Sequence, residues 1–114
     1  MLYKYRKHII YTLLGILAVW GIYKFIRRDQ GIHIALVGPM TGKGSANGIS
    51  YLNGVKLYVD ALNEKGGLDG REIIIDVYDD ENDDAKAEAK ANEIVKKNLA
   101  LAVIGHNKSS CSIK

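Results

Sequence analysis

Two short stretches of this 114-residue chain hold side chains able to grip a small polar molecule. Gly38–Gly48 combines glycines, which let a backbone approach a guest closely, with the hydrogen-bonding groups of Thr41, Ser45 and Asn47. Gly105–Ser112 places Ser109, Ser110 and Ser112 at the expected start of a helix, where unpaired N–H groups and the helix dipole favour an anion. A small carboxylate suits both.

Other chemistries fit less well. Gly38-Pro-Met-Thr-Gly42-Lys43-Gly44 is one residue short of a phosphate-binding loop, and Gly44 stands where magnesium would need a hydroxyl. Gly42-Lys-Gly44-Ser-Ala-Asn47-Gly48 lacks the third glycine of a dinucleotide fingerprint. The acidic run Asp79-Asp80-Glu81-Asn82-Asp83-Asp84 has neither the glycine nor the terminal glutamate of a calcium loop, and reads as a solvated turn leading into a helix cap. His8, His33 and His106 are scattered, so structural roles are expected for each. The single cysteine, Cys111, allows no internal disulfide or cysteine metal site and reads as a small residue in a helix's first turn. No catalytic residue, metal or cofactor is expected, and the chain is not expected to be an enzyme.

The elements that must position the two stretches follow from periodicity. Ile32–Val37 is a mostly apolar run bounded by glycines and Pro39, as suits a buried parallel strand. Leu52, Val55, Val59 and Leu62 then recur at helical spacing from Ile49 onward, until Gly66-Gly67 stops the helix. Glu72–Tyr78 is rich in β-branched residues and predicts a second strand. Asn82, Asp83 and Asp84 are cap candidates for a second helix through about Asn98, with Ala87, Ala91, Ile94 and Val95 as its apolar face and Glu93–Lys97 as an i,i+4 pair. Leu99–Ile104 predicts a third buried strand. The fold class is therefore α/β, a partial doubly wound parallel sheet built βαβαβ. In the order 2-1-3, the switch point lies between the first and third strands, and both candidate stretches leave the sheet there. A third helix should begin where residue 114 falls, so an exposed edge, exposed apolar surface and a truncated lobe are expected.

Ahead of this region lies a different kind of segment. Ile9–Tyr23 carries no charge and the apolar run resumes at Phe25-Ile26, so residues 9–26 predict a helix of about 27 Å, close to a bilayer's hydrocarbon depth. Tyr3, Tyr5 and Tyr11 near one end, with Trp20, Tyr23 and Phe25 near the other, match two aromatic belts, and Lys24 can snorkel. The segment reads as an uncleaved transmembrane anchor, with a signal helix and a buried soluble helix as alternatives. Residues 1–8 form a basic flank and 27–31 a polar linker. Residues 1–31 hold six Lys/Arg against one acid, whereas 32–114 hold ten against twelve. The basic charge thus belongs beside the membrane, and no basic stripe points to nucleic acid.

The segments Ile34-Ala-Leu-Val-Gly-Pro-Met-Thr-Gly42, Asn53-Gly54-Val55, Asn63-Glu-Lys-Gly-Gly-Leu-Asp-Gly-Arg71, Tyr78-Asp-Asp80 and Ala102-Val-Ile-Gly-His106 with Ser109-Ser110 run in the order and spacing of one family. Across residues 32–114 the chain resembles the branched-chain amino-acid (leucine-type) binding proteins, which have the type I periplasmic binding protein fold. The resemblance implies two α/β lobes closing on a ligand, of which 32–114 is the opening part of the first. It implies capture of a branched-chain amino acid, amide or similar small carboxylate outside the cytoplasm for an ABC importer and its permease. Typical members have a cleaved signal or a lipid anchor, and the uncleaved single-pass anchor read from residues 9–26 departs from that pattern. The ligand sensor of a membrane receptor and a non-functional truncated copy are alternatives. By similarity Ser109 binds the ligand's carboxylate, Asn47 lines the pocket at an often aromatic position, and Ser110 and Thr41 lie beside them. The remaining contacts and the second lobe are expected beyond Lys114. Some relatives join the two loops by a disulfide, and Asn82 and Lys108 stand at those positions. Lys108 is expected either to strengthen anion binding or to face solvent.

Overall fold

The computed structural model describes residues 2–28 and 30–112, with side chains for 5–26 and 30–111. The side chains of Lys4, Arg27, Arg28 and Ser112, and all of Asp29 and Lys114, lie outside these. The chain divides into two units, residues 1–30 and 31–114.

The first unit is the helix α1, Leu2–Arg28. It runs longer than the apolar stretch 9–26, so the described part of the basic flank and the first linker residues are helical too. Every described side chain from Tyr5 to Ile26 is exposed, Leu17 and Ile22 among them. At about 1.5 Å per residue the 22 residues Tyr5–Ile26 reach roughly 33 Å. The Thr12 hydroxyl donates back to the carbonyls of His8 and Ile9 at 3.0 and 2.9 Å, which satisfies it without water. Lys24 folds over the Trp20 indole, its ammonium 4.7 Å from the ring centre.

The second unit runs β1 (Ile32–Gly38), α2 (Ser45–Glu64), β2 (Ile73–Asp79), α3 (Asp84–Lys97), β3 (Ala100–Ile104) and α4 (Ser109–Ser112). Its sheet is parallel, as expected, and its order is β2-β1-β3, the one that puts the switch point between β1 and β3. Alternation sends Ile32 and Ile34 to one face, where they meet Val55, Val59 and Leu62 of α2 with Ile73 and Ile75 of β2. Ala35 and Val37 point to the other face, against Tyr78 and Ile94 of α3. Ala35, Leu36 and Val37 have no exposed surface at all, so β1 is the centre of the unit.

Three expectations change here. The predicted loop Pro39–Gly48 closes sooner, because α2 already begins at Ser45 after left-handed Gly44 (φ 98°), which puts Ser45 and Asn47 in its first turn. A Cβ on Gly48 would stand 1.9 Å from the Pro39 carbonyl oxygen, so this glycine lets the turn press against the end of β1. On α3, Ala87 and Ile94 are buried, but Ala91 is exposed and Val95 is 76% exposed. The contact stripe runs through Ala87, Lys90 and Ile94 instead, and Lys97 continues it with its ammonium 5.1 Å from the Tyr78 ring. The third strand is not buried: Leu101 and Val103 are 77% and 52% exposed. β3 lies at the sheet edge, and a register irregularity opposite His33/Ile34 drops Leu101 out of the pairing. The expected exposed edge and apolar surface are therefore present.

Asp83 caps α3, its carboxylate accepting from the Lys86 amide at 2.9 Å, and Glu93 pairs with Lys97 at 2.8 Å. Gly66 and Gly67 (φ 104° and 70°) return their amides to Asn63 and Leu62 and end α2 as expected. The next join is made by a side chain. Asn63 donates from Nδ2 to the Ile73 carbonyl at 2.9 Å and accepts from the Ile73 amide at 2.8 Å, clasping α2 to the first residue of β2. Asn63→Ala should leave both groups unmet and lower stability by about 1–3 kcal/mol in chemical denaturation. An unchanged midpoint would mean that water replaces the clasp at no cost.

Candidate functional site

Neighbouring parallel strands end together, so Leu36 of β1 pairs with Ile104 of β3 and their following loops leave the same edge of the sheet. The loop after β1 leads into α2, which packs on one face, and the loop after β3 leads into α4, which bonds to α3 on the other face through Ser110 and Asp84. Open α/β sheets hold ligands beyond such a carboxyl edge. Gly105 (φ 137°) sits tight against β1, since a Cβ there would lie 2.3 Å from the Val37 carbonyl oxygen.

The four candidate residues take different positions around this edge. Thr41 is exposed, and its hydroxyl donates to Asp79 Oδ2 at 2.6 Å. Asn47 is exposed on the first turn of α2. Ser110 is half-buried and donates from Oγ to Asp84 Oδ1 at 2.9 Å. Ser109 opens α4, is exposed, and has no hydrogen-bonding partner for its hydroxyl among the described residues. The fold thus brings Thr41, Ser109 and Ser110 to one edge, while two of their hydroxyls are already engaged.

What engages them is the acidic run, which the sequence presented as a solvated turn. That expectation holds for the Glu81–Asn82 turn and the Asp83 cap and fails for Asp79, Asp80 and Asp84, whose carboxylates turn to the loops. Asp79 closes β2, and its Oδ1 accepts from the amides of Met40 and Glu81, each at 2.9 Å. Asp80 is only 1% exposed. Its amide donates to the Gly38 carbonyl at 3.2 Å, its Oδ1 accepts from the Asn82 amide at 2.9 Å, and its Oδ2 lies 3.4 Å from His106 Nδ1. Asp84 Oδ1 takes Ser110, the Cys111 thiol at 3.3 Å and the Lys108 ammonium at 3.3 Å. Asp79 therefore holds the first loop, while Asp80 and Asp84 hold the second. A pair of acids at a strand's carboxyl end, facing glycine-rich loops with free amides, was the available signal. Lys108 is exposed to solvent, as one of its two expected readings has it, and its ammonium also lies 3.3 Å from Asp84 Oδ1. Asn82 and Lys108 cannot form a disulfide, and Asp84 joins the same two segments through Lys108, Ser110 and Cys111.

Electrostatics follow from these contacts. For Asp79, burial works to raise the carboxyl, but hydrogen bonds from the Thr41 hydroxyl and the Met40, Glu81 and Thr41 amides outweigh it and leave it below its usual value. Bonds from Cys111, Ser110 and Lys108 lower Asp84 in the same way. Burial, helped by Asp84, pushes the Cys111 thiol up, which suits a packing residue rather than a nucleophile. His33 is likewise structural, with Nδ1 at 2.8 Å from Asp76 on the neighbouring strand. No group of three or more metal-ligating side chains occurs among the described residues.

A parallel β2-β1-β3 sheet, faced by α2 and α3 and carrying its loops at the switch point, defines an α/β ligand-binding lobe. The chain belongs to the periplasmic binding protein family, whose pattern matches residues 31–112. It is 33% identical over 96% of its length to an amino acid binding protein of Pseudomonas aeruginosa. It is 32% identical over 86% to that organism's leucine-, isoleucine-, valine-, threonine-, and alanine-binding protein. The chain spans 28% and 26% of those two relatives. The substrate binding protein LivJ from Streptococcus pneumoniae, solved with isoleucine, superposes with a TM-score of 0.68 at 28% identity, over 72% of this chain and 24% of that one. A substrate-binding protein from Desulfitobacterium hafniense, solved with Leu, gives 0.62 at 31% identity over 73% and 24%. These relatives are binding proteins of an extracytoplasmic family, not enzymes.

The lowered carboxyls set a pH window. A group whose folded value lies below its unfolded one stabilises the fold above the unfolded value and loses that contribution as pH falls through the folded value. Amide signals of Thr41, Ser110 and Cys111 should therefore titrate with midpoints below the ordinary carboxylate value of 3.8. An NMR titration in which they move well above that value would show that Asp79 and Asp84 do not hold these loops as ions.

Proposed function

We propose that residues 31–112 form ligand-binding lobe structure of an extracytoplasmic solute-binding protein that takes a branched-chain amino acid, amide or similar small carboxylate for an ABC importer and its permease. The observation that carries this reading is Ser109: its hydroxyl is exposed and unengaged among the described residues, on the loop that leaves β3 beside β1. By similarity that serine meets a ligand's carboxylate. Relatives named for leucine, isoleucine and valine binding, and related structures solved with isoleucine and leucine, support the same ligand class. Thr41 and Ser110, engaged by Asp79 and Asp84, serve as supports of the walls, and Asn47 borders the pocket from α2. The residues described here supply one side of a pocket, so affinity from this side alone is weak. Leucine at millimolar concentration should shift the NMR amide signals of Thr41–Asn47 and Gly105–Ser110 in the micelle-held chain. Ser109→Ala should weaken that binding by about 1–3 kcal/mol, the scale of a hydrogen bond to a charged group. No shift with leucine, isoleucine, valine or their amides overturns the ligand class, and unchanged affinity in Ser109→Ala overturns the role of Ser109.

We further propose that α1 is a retained single-pass anchor with the lobe outside the cytoplasm. The continuous helix, its exposed apolar sides and the Trp20–Lys24 pair near one end support this. Protein recovered from its host membrane should retain Met1 or Leu2 at its terminus, resist carbonate extraction, and lose residues beyond 31 to protease added from outside. A mature terminus within or after α1 would identify a signal helix instead.

A further inference from the structure

The connection between β2 and α3 touches both walls of the candidate site. Asp79 accepts from the Met40 amide and the Thr41 hydroxyl, at 2.9 and 2.6 Å, on the loop that leaves β1. Asp84 accepts from Ser110, Cys111 and Lys108, at 2.9, 3.3 and 3.3 Å, on the loop that leaves β3. Between them, Asp80 is nearly sealed from solvent and bonds through its amide to Gly38, the last residue of β1. Both carboxylates thus stand at opposite ends of a six-residue segment whose own position is set by β1. Neither loop has regular structure until α2 or α4 begins; its backbone contacts are the local Ser45–Gly42 and Cys111–Lys108 turn bonds and the close packing of Gly48 on Pro39 and of Gly105 on Val37.

We propose that Asp79 and Asp84 are positioning residues that set the separation and aim of the two walls, Asp79 for Met40–Thr41 and Asp84 for Lys108–Cys111. The link to ligand affinity rests on the reading of this edge as an amino-acid site; the link to loop geometry does not. Asp84 gathers its three donors on Oδ1, whereas Asp79 takes the Met40 and Glu81 amides on Oδ1 and the Thr41 hydroxyl on Oδ2. Alanine removes every acceptor. Asparagine at 84 keeps the one oxygen that all three donors share, and at 79 it keeps an oxygen for the Met40 and Glu81 amides while its Nδ2 can donate to the Thr41 hydroxyl in place of the lost acceptance.

The test uses the whole chain in micelles. Amide hydrogen exchange is followed without ligand, and leucine is then titrated by NMR. Asp84→Ala should speed exchange at Cys111, whose amide bonds to Lys108, while β1 and β2 amides exchange as before. Asp79→Ala should do so at Met40, leaving Cys111 unchanged. Each alanine variant should weaken leucine binding about tenfold, and Asp84→Asn and Asp79→Asn should recover most of it. Wild-type exchange in both alanine variants overturns the proposal. So does a matching acceleration across β1 and β2, because the acids would then be serving general stability. If wild-type protein gives no leucine shifts, the ligand reading fails alone, and the exchange data still decide whether the acids position the loops.

Discussion

The constraint on which the second unit depends is that β1 has no open side. It takes β2 on one edge and β3 on the other, with α2 over one face and α3 over the other. Only a strand that is apolar on both faces can fill such a place, and Ile32-His-Ile-Ala-Leu-Val37 is nearly that. Its single polar member, His33, lies toward the amino end, where Asp76 answers it from the next strand. Once β1 is enclosed, right-handed crossovers send one helix to each face.

The ends of the strands pose a different physical problem from their middles. At the carboxyl edge the ladder stops while amides and hydroxyls of two loops still need partners. The protein meets this need with carboxylates from the intervening connection instead of with more backbone pairing. An ionised acceptor can gather several donors at once, as Asp84 does with a hydroxyl, a thiol and an ammonium. The arrangement leaves Ser109 out, and this is why that hydroxyl remains available on a loop otherwise tied down.

Much of this was legible beforehand. The alternation of strands and helices, the apolar stripe of α2 and the glycine stop at Gly66-Gly67 are set by period, by β-branched content and by the backbone freedom of glycine, all local properties of the chain. The α3 stripe was read only in part. Counting apolar residues nominated Ala91 and Val95, whereas Lys90 and Lys97 lie along the contact line with their long stems, a choice made by the sheet's position rather than by residue type. Leu101 and Val103 likewise have the composition of a buried strand, yet composition does not say which strand ends at an edge.

The sequence alone determined the class of the fold, the two loops at the switch point and the candidate serines, because each is encoded within a dozen neighbouring residues. Only the tertiary structure decided which of those hydroxyls is free. Asp79 and Thr41 are 38 positions apart, and Asp84 and Ser110 are 26 apart, so no local pattern reports either pair. A run of acids looks alike in sequence whether it faces water or faces the amides of two loops. Packing β2 beside β1 settles which, and it sets Asp79 against Met40 and Thr41 and Asp84 against Lys108, Ser110 and Cys111.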